Sequence, residues 1–162
     1  MTPLSLRAIN CIESRLRRIS EDGGYHTSAG LCVRFSPPSE DSDSPSGCAL
    51  WCAGESVSVK PNSSAKATVL QVSIVGWVRV SQANTGKLLE CLKADIKVAV
   101  ERGWDGYLVD DIGAIGTITY TGATAQPRES GDLVESVQLT FDVGYIEGVG
   151  NPYSPQDARR AV

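Results

Sequence analysis

Residues Leu70-Gln71-Val72-Ser73-Ile74-Val75-Gly76-Trp77-Val78-Arg79-Val80 decide how the chain reads. Leu70, Val72, Ile74, Val78 and Val80 alternate with Gln71, Ser73, Trp77 and Arg79, the two-residue period of a strand with one buried face. The β-branched valines and isoleucine favour extension over helix. With the residues before it, the stretch predicts a long strand over 66–81, in which Gly76 interrupts the apolar face and marks a bulge or a bend.

Directly downstream the period changes. From 85 to 102, Leu88, Leu89, Leu92, Ile96, Ala99 and Val100 recur at helical spacing, with Lys87, Glu90, Lys93, Asp95, Lys97 and Glu101 on the solvated side. Asn84 or Thr85 caps this helix, and Gly103 takes the left-handed position after it, folding Trp104 back toward Ala99. Toward the N-terminus, Ile9, Ile12, Leu16 and Ile19 predict a second amphipathic helix over 4–19, with Arg7, Asn10, Glu13, Arg17 and Arg18 facing water. Thr2 is its N-cap, Pro3 its first residue, Glu13 and Arg17 an i,i+4 pair, and Asp22-Gly23-Gly24 its stop.

Between the helices the signals are shorter. Leu31 to Phe35 reads as a short strand, and 36–47, rich in serine and proline with Glu40, Asp41 and Asp43, as a mobile acidic loop. Cys48–Cys52 and Glu55–Lys60, separated by Gly54, fit a hairpin, and Pro61-Asn62-Ser63-Ser64 is the next turn. Beyond the second helix, Ile115–Thr124 and Leu133–Ile146 read as antiparallel strands. In the latter, Leu133, Val137, Leu139, Phe141, Val143 and Tyr145 alternate with Ser136, Gln138, Thr140 and Asp142. The polar residues 126–132 join them as a flexible hairpin arm, and Gly148 to Pro152 ends regular structure. The expectation is a single α+β domain over 1–150, an antiparallel or mixed sheet with two helices packed on it and a long C-terminal β-hairpin, followed by a polar tail over 151–162.

The bulk properties exclude several function classes. A net charge of -4 over 162 residues argues against a nucleic-acid binder held by phosphate neutralisation. Arg15, Arg17 and Arg18 read as a solvated helix face, and Arg159-Arg160 as a pair in a tail. No apolar run approaches the roughly 18 residues of a membrane span, and no secretory signal opens the chain. Five cysteines, an odd count, suggest reduced thiols in a cytoplasm.

Candidate chemistry is sparse. His26 is the single histidine and reads as a turn residue bonding locally, without a second histidine for a relay or a metal pair. Cys48 and Cys52 share a strand face, but no second pair completes four ligands. Ser63-Ser64-Ala65-Lys66 fits the Ser-x-x-Lys pattern by chance, in a turn rather than at a helix start. Asp110-Asp111 reads as a turn or, remotely, a hard-cation ligand pair. The nucleotide-loop, zinc-protease and nucleophile-elbow motifs do not occur. The residues point to no enzyme, and no catalytic, cofactor or metal set is expected.

The order of elements from Val69 onward resembles the tail terminator (tail-completion) proteins of long-tailed bacteriophages. The likeness rests on the strand 70–80, the helix containing Leu92-Lys93-Ala94-Asp95-Ile96, the strand Gly116-Thr117-Ile118-Thr119-Tyr120-Thr121-Gly122 before a variable arm, and Val137 to Tyr145 closing near Gly150-Asn151-Pro152-Tyr153. The first helix with Gly24-Tyr25-His26-Thr27 is similar to the family's opening, whereas the acidic 36–47 stretch departs from it. The resemblance implies a homohexameric ring in the virion, at the tail–neck junction, assembled in the host cytoplasm. Such a ring ends polymerisation of the major tail tube protein and presents a joining surface to the head-completion or connector protein. Trp51, Trp77 and the arm residues Gln126, Arg128, Glu129 and Asp132 are the candidate interface positions. Another head–tail joining or tail-tube protein is the alternative within the class; a small hydrolase or ligand-binding module is the alternative outside it.

Overall fold

The computed structural model describes residues 2–35, 44–80, 84–102, 106–126 and 133–155. Helix α1 (Leu4–Leu16) leads through two 3-10 turns, Glu21–Gly23 and Ala29–Leu31, into strands β1 (Val33–Arg34), β2 (Ser46–Val59) and β3 (Ala65–Arg79). Helix α2 (Thr85–Glu101) follows, then β4 (Tyr107–Val109), β5 (Ala114–Gln126), β6 (Val134–Gly148) and β7 (Asn151–Pro155). The strands form one mixed sheet in the order β1-β2-β3-β6-β5-β4, with β7 also paired to β6. All pairings are antiparallel except β1 with β2.

The two-residue period of β3 does what the sequence asks of it. Register places Leu50, Ile74 and Leu139 on one face in a row, and Val72, Phe141 and Tyr120 in the next. That face meets the apolar sides of both helices, so Ile12, Leu16, Leu92, Ile96 and Val100 join the same core. Burial of this apolar surface is the main favourable contribution to the fold. Gly76 produces neither bulge nor bend, because the ladder runs through it to Cys48 on one side and Val137 on the other. It is small for a packing reason: a Cβ there would lie 2.8 Å from Ile96 Cδ1 and 3.0 Å from Leu92 Cδ2.

Several local expectations are corrected. The hairpin centred on Gly54 is one continuous strand, β2, because Gly54 sits at a register shift opposite Gln71 and is spent on a bulge rather than a turn. Pro3, not Thr2, occupies the N-cap of α1, and Asn84 stands at the N-cap of α2 in left-handed geometry; neither side chain makes a cap hydrogen bond. Helix α1 ends at Leu16 because Arg18 and Ile19 donate to carbonyls three residues back, tightening the chain into turns that keep Ile19 buried. Of the strand expected at 31–35 only Val33 and Arg34 pair, and the 36–47 loop gives way to β2 by Ser46. Residues 151–155, read as the start of a tail, return as β7 beside the end of β6, in the place that β5 has left. The short edge strand β4 was not anticipated. The stop at Gly103 and Trp104 falls outside the described residues, as do 36–43 and 156–162.

Candidate functional site

The sheet has two long borders with no strand partner among the described residues. On one side β1 covers only Cys48 and Ala49 of β2, leaving Leu50 to Val59 open. On the other, β4 covers only Ala114 to Thr117 of β5, leaving Thr119 to Gln126 open. Strand edges normally carry lysine, proline or inward charges that discourage pairing with another chain. Neither border follows that rule: Thr119 to Gln126 holds no charged residue and no proline, and Leu50 to Val59 holds only Glu55. Each has one bulge, between Cys52 and Gly54 and between Tyr120 and Gly122, and beyond it the pairing continues residue by residue.

Val57 and Val59 stand 48% and 54% exposed on the first border. The second border is fixed to the core at Tyr120, whose ring lies 5.5 Å from that of Phe141 and carries Lys97 Nζ 4.2 Å above it. Among the residues expected at an interface, Trp51 is half-buried on the face away from the helices, opposite Ser73. Trp77 is fully buried on that same face, stacked over Gly47, where a Cβ would run into its indole. It is therefore a packing residue, removed from the surface, and its Nε1 has no hydrogen-bond partner among the described residues. Gln126 is exposed at the end of β5 and donates to Gln138 at 3.1 Å. Arg128, Glu129 and Asp132 lie outside the described residues.

The polar clusters have structural work. Arg7, read as solvated, is 5% exposed and forks onto Asp110 at 2.7 Å and 2.6 Å. Asp110 also accepts the Ile112 and Gly113 N–H groups, which makes Asp110-Asp111 a turn anchored to α1. The guanidinium and these amides hold the Asp110 carboxyl below its ordinary range, and the carboxylate raises Arg7 in turn. Asp95, also read as solvated, is 3% exposed and accepts from the His26 and Thr27 segment: His26 N–H at 3.0 Å, Thr27 Oγ1 at 2.9 Å and His26 Nδ1 at 3.1 Å. His26 thus ties a turn to α2 rather than bonding locally. Lys66 pairs with the buried Glu147, which raises the lysine, and Thr68 donates to the same carboxylate. Burial pushes the Cys48 thiol well up, which leaves it a small apolar side chain.

One open cleft of about 1030 Å³ lies between α1, the end of α2 and the residues after β4. Arg7, Arg15, Arg18 and Arg102 line it, with Asp110 and Asp111, the polar Asn10 and Ser14, and Cys11. Arg15 is fixed by donating to the carbonyls of Val100 and Tyr107. His26 is not in its wall, so no histidine stands beside Ser14 or Cys11 there. Among the described residues no three metal-ligating side chains cluster, and no helix is long and apolar enough to cross a membrane.

No family model matches the sequence, and no curated protein is similar to it.

Which strand segments stand open was not legible in the sequence, because edge position is a property of topology. Their one local signal is a pair of long strand segments almost free of charge and proline. The buried Arg7 and Asp95 carried no signal at all, since each occupies a spacing on its helix that a solvated residue would share.

Proposed function

We propose that this chain is a ring-forming assembly protein of a bacteriophage tail, which caps the tail tube, ends its polymerisation and offers a joining surface to the head-neck connector. The observation that carries the reading is the pair of sheet borders, nearly free of charge and without a strand partner among the described residues, on opposite sides of one domain. A border of one copy pairing with the opposite border of the next is a head-to-tail contact, which closes into a ring when the rotation permits. Such pairing also relieves the aggregation hazard that bare edges present in a monomer. The order of elements adds support through its resemblance to tail terminators, in which β5, β6 and the 127–132 connection would form the long hairpin arm reaching a neighbour or the tube. The ring would be a homohexamer on the same resemblance, built in the host cytoplasm and carried into the virion.

The test is incubation of the purified chain with tail tubes made from the major tail protein, followed by imaging of tube ends. Rings confined to one end and shorter tubes are expected. Incorporation along the tube would indicate a tube protein instead, and bare ends with unchanged tube length would overturn the proposal.

A further inference from the structure

The cleft beside α1 is positive in a chain that is negative overall. Its described wall carries four guanidiniums, those of Arg7, Arg15, Arg18 and Arg102, against the two carboxylates of Asp110 and Asp111. Positive charge is in excess, and the way each guanidinium is held shows which donors remain. Arg7 spends Nε and Nη2 on Asp110, and Nη2 also lies 3.4 Å from the Gly113 carbonyl. Its Nη1 has no hydrogen-bond partner among the described residues, although the residue is only 5% exposed. Among the described residues Trp77 Nε1 is the one fully enclosed side-chain polar atom without a partner, so Arg7 Nη1 still meets solvent, and it does so in the cleft that Arg7 lines. Arg15 donates to the carbonyls of Val100 and Tyr107, which fix it without neutralising its charge. Arg18 and Arg102 are exposed, and neither makes an ion pair with another described residue. One donor on a buried guanidinium, one rigid guanidinium with its charge unmatched and two exposed ones form a set that suits anionic oxygens.

We infer that this cleft binds a small ligand carrying two or more phosphoryl groups. Each phosphoryl group brings three acceptor oxygens and up to about two negative charges at neutral pH, so it engages more guanidinium N–H groups than a carboxylate does. More than one is needed because the donors are spread: Arg7 and Arg15 are eight residues apart on α1, about 12 Å along its axis. The volume of about 1030 Å³ is that of a pocket for a drug-sized molecule, and a lone phosphate would leave most of it to water. Asn10 and Ser14 stand between the two arginines on the same wall and supply neutral hydrogen bonds. Asp110 is already satisfied by Arg7 and two backbone amides, which lets a carboxylate stand in the wall of an anion site. The site uses neither open border of the sheet and does not depend on the ring.

The test is calorimetric titration of inorganic tripolyphosphate into the full chain at low salt. One saturable site is expected, weakened roughly tenfold or more by Arg18→Gln with Arg102→Gln and by added salt. A charge-matched control outside the cleft, Lys60→Gln with Lys87→Gln, is expected to bind as the wild type does. All four side chains are exposed, and unchanged urea unfolding verifies that both variants keep the fold. Orthophosphate and citrate are each expected to bind more weakly than tripolyphosphate by roughly tenfold or more. ATP distinguishes two sources of the phosphoryl groups: binding tighter than that of tripolyphosphate identifies a nucleotide, equal or weaker binding identifies an oligophosphate alone, and both support the site. No saturable binding of tripolyphosphate, indifference to the two arginines, equal weakening by the control pair, or citrate or orthophosphate binding as tightly would overturn the proposal.

Discussion

Strands β2 and β3 are neighbours over nearly their whole lengths, yet their fates diverge. From Val72 to Val78 every residue of β3 is buried, whereas from Cys52 to Val59 β2 is exposed at nearly every position. The difference is not composition, since β2 brings Val57 and Val59 to its exposed end. It is position: β3 lies between two long strands with helices on its face, while β2 beyond Ala49 has a partner on one side only among the described residues. Apolar residues in the first setting stabilise the monomer; in the second they stabilise only a contact that the monomer lacks. Substitutions should therefore separate the two regions cleanly.

The largest stability effect is expected from Phe141→Ala, which opens a cavity between Val72 and Tyr120 and removes the ring contact that anchors β5. A loss of about 3–5 kcal/mol in urea unfolding is expected. A loss below about 1 kcal/mol would mean that this row of the sheet is not the packed center described.

Asp95→Ala comes next, since it strands the buried Thr27 hydroxyl and takes the acceptor from the part-buried His26 amide. A cost of about 2–3 kcal/mol is expected by the same measurement, with Asp95→Asn recovering part of it. Asp110→Asn should cost about 1–2 kcal/mol at neutral pH. Because the folded Asp110 carboxyl titrates below its unfolded value, its contribution is fully present above the ordinary carboxylate range and is lost as pH falls through the depressed folded value. The wild-type chain should thus lose stability on acidification more steeply than Asp110→Asn. Parallel pH profiles would break the assignment of the Arg7 pair.

The smallest stability effects are expected at the borders. Val57→Lys and Thr124→Lys should each change unfolding by within about 0.5 kcal/mol, because both side chains already face water. Their effect should instead fall on association, by placing charge on an edge that pairs with a neighbour. If either destabilised the monomer like a core substitution, the contrast between the two regions would fail.

How much of this was legible in the sequence follows from the same contrast. Period and burial are local, so Leu70 to Val80 and Leu88 to Val100 read correctly as strand and helix, and the alternation over Val137 to Tyr145 read correctly as a half-buried strand. Gly54 and Gly76 were misread because a glycine in a strand has several causes, and only the third dimension shows that one sits in a bulge and the other beneath Ile96 and Leu92. Arg7 and Asp95 were misread because their partners, Asp110 and the His26 turn, are about 70 to 100 residues away in sequence. Trp77 was placed on the polar side of its strand, and the alternation was right, but the sheet is covered on both faces there. Which borders stand open was not legible because strand order decides it.

The most direct test of the central claim, that the two bare borders are halves of one contact, is the solution mass by light scattering of the wild-type chain beside a Val57→Lys/Thr124→Lys variant. The expected result is a discrete multimer for the wild type, six copies if the ring closes as the resemblance implies, and a folded single chain for the variant. A wild-type chain that remains monomeric at every concentration and in the presence of tail tubes, or a variant that assembles as well as the wild type, would contradict the account.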